Sequence, residues 1–297
     1  MSESADSIPR ARTGTLWLVA TPIGNLGDLA PRAAATLATA PLLLAEDTRH
    51  TAQLLKASGI ERPPGTVLSL HEHNERARTP DLVARLLSGE DIALVSDAGT
   101  PLVSDPGAAL VAAAARAGIA VSAIPGPCAA IAGLTLSALP AERFCFEGFL
   151  PAKAAARRRA LEALQRETRT LVFYEAPHRV AEALADMAAM LGVTRPAAIA
   201  RELTKKFETV YRGTLSGLAA RAAQDTDLAR GEIVVVVQGA DDSHADVTDD
   251  EADRVLRLLL AELPTSQAAK LAAQISGRAR KELYERALSL QDRALEP

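Results

Sequence analysis

The sequence predicts an α/β protein of two domains followed by a small helical extension. Short aliphatic runs recur along the chain, each ending in a polar or Gly/Pro-rich loop that leads into a helical pattern. That alternation builds a largely parallel, helix-covered sheet. A length of 297 residues gives room for about two ordinary domains. The residues are 48% hydrophobic but only 3% aromatic, so the core is aliphatic and alanine-rich.

Composition also excludes several classes. A formal charge of −4 excludes a uniformly basic nucleic-acid protein, although a local basic face is compatible with it. Cys128 and Cys145 are the only cysteines, with no Cys-x-x-Cys or Cys/His cluster, so neither a disulfide framework nor a metal site is expected. No apolar run reaches membrane-spanning length. The start, MSESADSIPRARTG, lacks the apolar segment of a signal peptide, so a loose tail over 1–13 and a cytoplasmic location are expected.

An N-terminal α/β domain is expected over 14–125. TLWLVA (15–20) reads as a buried strand entering the loop TPIGNLGDLAP, from which Pro31 can start a helix. That loop is not GxGxxG, and GxxxxGK[ST] is absent from the chain, which disfavours dinucleotide and P-loop readings. PLLLA (41–45) is the next strand; it ends in EDTRHT, where Asp47 or Thr48 can cap a helix to Ser58. VLSL then leads into HEHNE (71–75) and a helix to Leu87. The run Ile92–Val95 breaks into a loop holding Asp97, Gly99, Pro101, Asp105, Pro106 and Gly107 before an alanine-rich helix over 108–117. Loops at strand carboxyl ends share one edge of a parallel sheet, so Asn25, Asp47, Arg49, His71, Asn74 and Asp97 can converge. Two carboxylates in the Gly99 loop suit hydroxyls, amines or a cation better than a polyanion. The alternative is an ordinary βα turn with capping aspartates.

A second α/β domain is expected over 126–240, with a change of composition around Leu139. AVSAIPGPCAA supplies a strand, a turn and a helix running to about Ala138, whose first N–H groups would lie near the Asp97 loop. Segments 170–180, 197–215 and 231–239 continue the series, and Val234–Val237 reads as a central strand covered on both faces. An acidic linker, Ala240–Asp250, precedes an extension over 249–297 with helical patterns at 250–262, 266–275 and 278–288. Their breaks, at Pro264–Ser266 and Gly277, suggest a helix-turn-helix unit.

Taken together, ATPIGNLGD (20–28), EDTRHT (46–51), HEHNE (71–75), VSDAGTPLVSDPG (95–107), PGPCAA (125–130), FEGFLP (146–151), FYEAPHR (173–179) and ARELTKKFE (200–208) resemble the tetrapyrrole-methylase superfamily. The nearest likeness is to its branch of ribose 2′-O-methyltransferases, which act on a cytidine of 16S ribosomal RNA in the small ribosomal subunit. The likeness spans Leu16–Gly239, and the terminal helices resemble that branch's extension. Cys128 stands where a serine is common. The resemblance implies a two-domain fold with S-adenosylmethionine in the cleft between domains, and a homodimer. It places cofactor contacts at Pro22, Ile23, Asp97, Gly99, Thr100, Val103, Cys128 and Ala129, and on the second domain at Tyr174, Glu175, Ala200, Glu232 and Ile233.

Methyl transfer to a ribose hydroxyl needs alignment and removal of a proton. Asp47, His71 and Glu175 are possible bases, with Asp47 and Glu175 the catalytic candidates; the bland alternative has Asp47 capping its helix and pairing with Arg49. RNA contacts are expected from Asn25, Arg49, His71, Asn74, Lys153, Arg157, Arg201, Lys205 and Lys206, unless the 153–159 group is only a solvated helix face. Charge segregation would reconcile RNA binding with a negative chain: acid at 241–253, base along 153–159, 201–212 and 278–286. Rival readings are a methylase of a small tetrapyrrole, a non-catalytic assembly factor with a vestigial cleft, and a nucleotide enzyme, whose Gly-rich loops would lack their lysine.

Overall fold

The structure, a computed structural model, describes residues 12–241, 249–276 and 278–294. Most of the expected tail, the centre of the acidic linker and the Gly277 break lie outside the described residues. The chain divides into two compact units, one through Gln238 and one from Gly239.

The first unit contains two five-stranded sheets. Strands β1 (Thr15–Val19), β2 (Leu42–Ala45), β3 (Val67–Ser69), β4 (Ile92–Val95) and β5 (Ala120–Ile124) form the first, in the order β3-β2-β4-β1-β5. All its pairings are parallel. Around it run α1 (Pro31–Thr39), α2 (Thr48–Ala57), α3 (Glu75–Leu87) and α4 (Ala108–Arg116). The fully buried strand β4 shows why the runs do not alternate with polar residues. Ile92 and Leu94 pack with Leu82, Leu86 and Leu110, while Ala93 and Val95 pack with Ala33, Leu37 and Leu55 on the other face.

Two devices hold the α4 end of this sheet. Glu75, the last residue of HEHNE, accepts the N–H groups of Ala109 (2.7 Å) and Leu110 (3.1 Å), satisfying donors at the start of α4. Gly107 precedes α4 with φ 122°, and a Cβ there would come within 2.5 Å of the Leu94 Cδ2. Gly107→Ala therefore combines backbone strain with overpacking, and about 2–4 kcal/mol of stability should be lost. A thermal melt at wild-type Tm would refute this.

The second sheet has the order β6-β7-β10-β8-β9, from β6 (Phe144–Phe149), β7 (Thr170–Glu175), β8 (Pro196–Arg201), β9 (Thr209–Thr214) and β10 (Ile233–Val237). It is mixed: β6 and β7 are parallel, but β10 runs antiparallel to both its neighbours, and β8–β9 is a hairpin. β10 is central and wholly buried, as the valine run requires. Val235 and Val237 face a cluster with Leu184 and Leu218, from α7 (Val180–Leu191) and α8 (Leu215–Ala222). Val234 and Val236 face Ala130 and Leu134 of α5 (Ala129–Leu136) together with Ile23 of the β1 loop. Apolar packing thus joins the two sheets.

Arg157 corrects an expectation. On α6 (Ala154–Ala163) it is 2% exposed, and its Nε donates to Asp186 of α7 at 2.7 Å. Arg158 takes the other oxygen of Asp186, also at 2.7 Å. Arg157 points inward because α6 packs directly on α7, so it is a structural clamp rather than an RNA contact.

The second unit comprises α9 (Asp249–Leu260), α10 (Thr265–Ser276) and α11 (Arg280–Ala294). Ala252, Leu256, Ala272, Leu283 and Ala287 form its small core. Within this unit Asp253, at the end of the expected acidic stretch, pairs with Arg286, and Arg278 pairs with Glu282. Among the described residues no helix is long and apolar enough to cross a membrane.

Candidate functional site

The carboxyl edge of the first sheet does gather the loops. Thr21, after β1, and Gly99, after β4, exchange both backbone hydrogen bonds (2.8 and 3.1 Å). Asp97 receives the Asp47 N–H on Oδ1 (2.9 Å) and pairs through Oδ2 with His50 Nδ1 (2.9 Å), tying the β2 loop to the β4 loop. The Gly99 amide is therefore already committed to Thr21. On the second sheet, the Tyr174 hydroxyl accepts the Ala130 N–H at 3.1 Å, so this early amide of α5 is also taken. Phe146 and Phe149 pack edge-on against Tyr174, with ring centroids 4.9 and 5.5 Å away.

Between these loops and the second sheet lies a cleft of about 320 Å³. Ile23, Val103, Leu203, Ile233 and Val234 give it apolar walls, and Asp97, Asp105, Glu175 and Glu232 line it with carboxylates. None of its lining residues is Lys, Arg or His. Such a lining offers a phosphate no cation and suits a ligand with an apolar body and polar or positive groups.

The carboxylates differ in their surroundings. Burial, reinforced by the neighbouring Glu46 and then Asp97, pushes Asp105 up to about 6. Burial and Asp97 also raise Glu46. Glu175 is fixed instead: its side chain is buried, it accepts the Ala176 N–H at 2.8 Å, and it pairs with Arg179 at 3.0 Å. Burial raises the Tyr174 phenol well above its ordinary range, so its proton stays on oxygen.

The expected cofactor residues Ile23, Asp97, Gly99, Thr100, Val103, Ala129, Tyr174, Glu232 and Ile233 line this cleft. Pro22 and Cys128 only adjoin lining residues in the chain. Ala200 is 1% exposed and packs with Ile23, Ala130 and Val234 in the apolar cluster, because its side chain faces α5. Of the catalytic candidates Glu175 lines the cleft and Asp47 does not. Asp47 caps α2 through the Arg49 N–H (2.8 Å), and its carboxylate takes the Arg49 Nε (3.0 Å), which holds it well below the usual carboxylate range. The bland alternative for this pair is the observed one.

Several expected RNA residues also have internal partners. Asn25 accepts the Gly27 N–H (3.0 Å), and Asn74 bonds both the His71 backbone N–H (2.9 Å) and its Nε2 (3.1 Å). Arg201 is 9% exposed and donates to the Arg230 carbonyl at 2.9 Å, a structural role forced by its place at the end of β8. Lys205 bridges Glu202 (2.9 Å) and Glu232 (3.3 Å). Its stem lies over Gly24, where a Cβ would come within 2.4 Å. It thus lies behind the lining, tied to Glu232, and is not itself a lining residue. Lys153 and Lys206 are exposed. Sequence reasoning left Asp105, Phe149 and Leu203 off the list of site residues; the doubled aspartate of SDAGTPLVSDPG was the available signal for the first.

The chain belongs to a class of group-transfer enzyme, the Tetrapyrrole (Corrin/Porphyrin) Methylases, whose family profile matches residues 15–219. A second profile, the RsmI C-terminal HTH domain, matches residues 246–291. The chain is 57% identical over 272 residues to Ribosomal RNA small subunit methyltransferase I of Xylella fastidiosa, covering 91% of this chain and 98% of that protein. To the protein of the same name from Pseudomonas aeruginosa it is 52% identical over 282 residues, covering 95% and 99%. In fold it is similar to a uroporphyrin-III C-methyltransferase from Thermus thermophilus solved with S-adenosylhomocysteine. There the TM-score is 0.51 at 18% identity, over 76% of this chain and 97% of that one.

Proposed function

We propose that this chain transfers the methyl group of S-adenosylmethionine to the ribose 2′-oxygen of a cytidine in 16S ribosomal RNA of the small ribosomal subunit, acting as a cytoplasmic homodimer. The observation that carries the reading is the lining of the cleft: four carboxylates, apolar walls and no basic side chain. S-adenosylmethionine brings a sulfonium, an ammonium, a ribose diol and a flat base, and those groups fit this lining. Ile23, Val103, Ile233 and Val234 would hold the base, and Asp97 and Glu232 would answer its charge and hydroxyls. When bound, it supplies an activated methyl group. Membership of the methylase family and the names of relatives at 57% and 52% identity support the same reading.

The protein's part is to align the attacking oxygen and take its proton. The two α/β halves, 14–125 and 126–240, serve as the walls of the cleft. Lys153 and Lys206 remain as phosphate contacts, so RNA binding weakens as salt rises. Few aromatic residues are available for stacking, so recognition depends on the shape of a partly assembled particle. Mass mapping of small-subunit ribosomal RNA from cells with and without the protein tests the reading. One methyl group on one cytidine ribose should disappear with the protein. An unchanged map would reject it, and methylation of short free RNA as fast as of the particle would reject the shape argument. Labelled methyl passing to a tetrapyrrole instead would support the rival.

A further inference from the structure

Resting on that reading, the geometry points to Asp105 as the residue that takes the proton from the attacking ribose hydroxyl. Three observations favour it over the other carboxylates. It lines the cleft, on the loop that joins β4 to α4 and also carries Asp97. Its Oδ2 is buried and has no hydrogen-bond partner among the described residues, and the groups that act on the carboxylate, Glu46, Ser96 and Asp97, include no arginine or lysine. Its competitors are spoken for: Asp47 by Arg49, Glu175 by Arg179 and the Ala176 amide, Glu232 by Lys205, and Asp97 by His50 and the Asp47 amide. Those partners occupy the oxygens that would otherwise face the ribose hydroxyl.

The groups facing Asp105 come from three elements. Glu46 stands after β2, Ser96 and Asp97 after β4, and Tyr174 on β7. The two carboxylates and burial favour the protonated form, only the Ser96 hydroxyl opposes them, and the result is a group that titrates near 6. Such a group is ionised at neutral pH yet still basic enough to accept a proton, which is the compromise general-base catalysis requires. In the step, the 2′-oxygen forms its bond to the methyl carbon while its proton passes to the Asp105 carboxylate. The carbon–sulfur bond breaks with its electron pair retained by sulfur, and the positive sulfonium becomes a neutral thioether. Asp105 then returns its proton to water, and charge balances.

The test compares wild type with Asp105→Asn, using the small-subunit particle as acceptor. Asparagine keeps the shape and loses the basicity. We expect kcat to fall by about 100-fold or more, as for loss of a general base. S-adenosylmethionine affinity, read by calorimetry without acceptor, should fall by no more than about tenfold, the cost of one cleft charge, and so by far less than kcat. In wild type, kcat should decline as pH drops through about 6, where Asp105 becomes protonated, and the variant's residual rate should lack that limb. Carboxyl infrared spectra of the acceptor-free protein should lose one group titrating near 6 in the variant. Retained kcat, or weakened cofactor affinity at unchanged kcat, would overturn the assignment; the latter would make Asp105 a partner of the cofactor's ammonium. A flat wild-type profile between pH 5 and 8 would overturn it even if the variant did not fold. Wild type that neither binds S-adenosylmethionine nor methylates the particle would instead sink the proposed function.

Discussion

Asp97→Ala should weaken S-adenosylmethionine binding about 100-fold by calorimetry, whereas Asp97→Asn should weaken it about tenfold. Asp97 has two duties, and the pair of variants separates them. One, part of the proposed function, is electrostatic: Asp97 lines a cleft without basic residues, where its charge would help draw in a cation. The other is structural, since its Oδ1 holds the Asp47 amide and its Oδ2 holds His50, keeping two loops in register. Alanine removes both, at a cost of about 2–3 kcal/mol for charge-assisted bonds and an unsatisfied amide. Asparagine keeps an acceptor for the amide and removes only the charge. His50 provides a second readout. Its hydrogen bond and attraction to Asp97 raise its pKa, so in either variant its ring should titrate lower by NMR. Wild-type affinity in Asp97→Ala would remove this residue from the binding account.

Asp186→Ala should cost about 3–5 kcal/mol, because it strands the buried guanidinium of Arg157. At this size the melting temperature would fall on the order of 10 °C. Replacing both partners, as Arg157→Met with Asp186→Leu, should recover most of the loss, since a buried pair exchanged for apolar side chains is nearly neutral. Burial pushes Asp186 up, but hydrogen bonds from Arg158 and Arg157 outweigh it and hold its carboxyl below the usual range. A carboxyl depressed in the folded state adds stability that is complete above its unfolded value, near 4. That part is lost as pH falls through the lower folded value. The wild-type advantage over Asp186→Ala should therefore be full at pH 7 and shrink below pH 4. An alanine variant melting within a degree or two of wild type would show that Arg157 finds water or another partner.

Legibility in the sequence followed the range of the forces involved. The strands of the first sheet could be read because each is a continuous aliphatic run, and such runs are stable only between two helix layers. Ala45, Val19 and Val95 end those runs, so the loops bearing Asn25, Asp47 and Asp97 had to emerge at one edge. The SDAGTP and FYEAPHR motifs carried the family, and the family carried most of the cleft. What could not be read was the destination of each charged side chain. Arg157 and Lys153 lie four apart in one basic run, yet α7 packs over the first and leaves the second in solvent. Arg201 and Lys206 share one loop region, and only the hairpin between β8 and β9 decides which is internal.

The sequence by itself therefore determined the strands, the loop motifs, the family and the sign of charge in the cleft, because these depend on residues close in the chain. Tertiary structure alone decided which carboxylates are neutralised and which is left basic. A partner such as Arg179 for Glu175 can be near in sequence, but whether the side chain turns to it or to the cleft is fixed by packing. The carboxylates that reinforce the rise at Asp105, Glu46 after β2 and Asp97 after β4, stand on loops of different strands, brought together only by the fold.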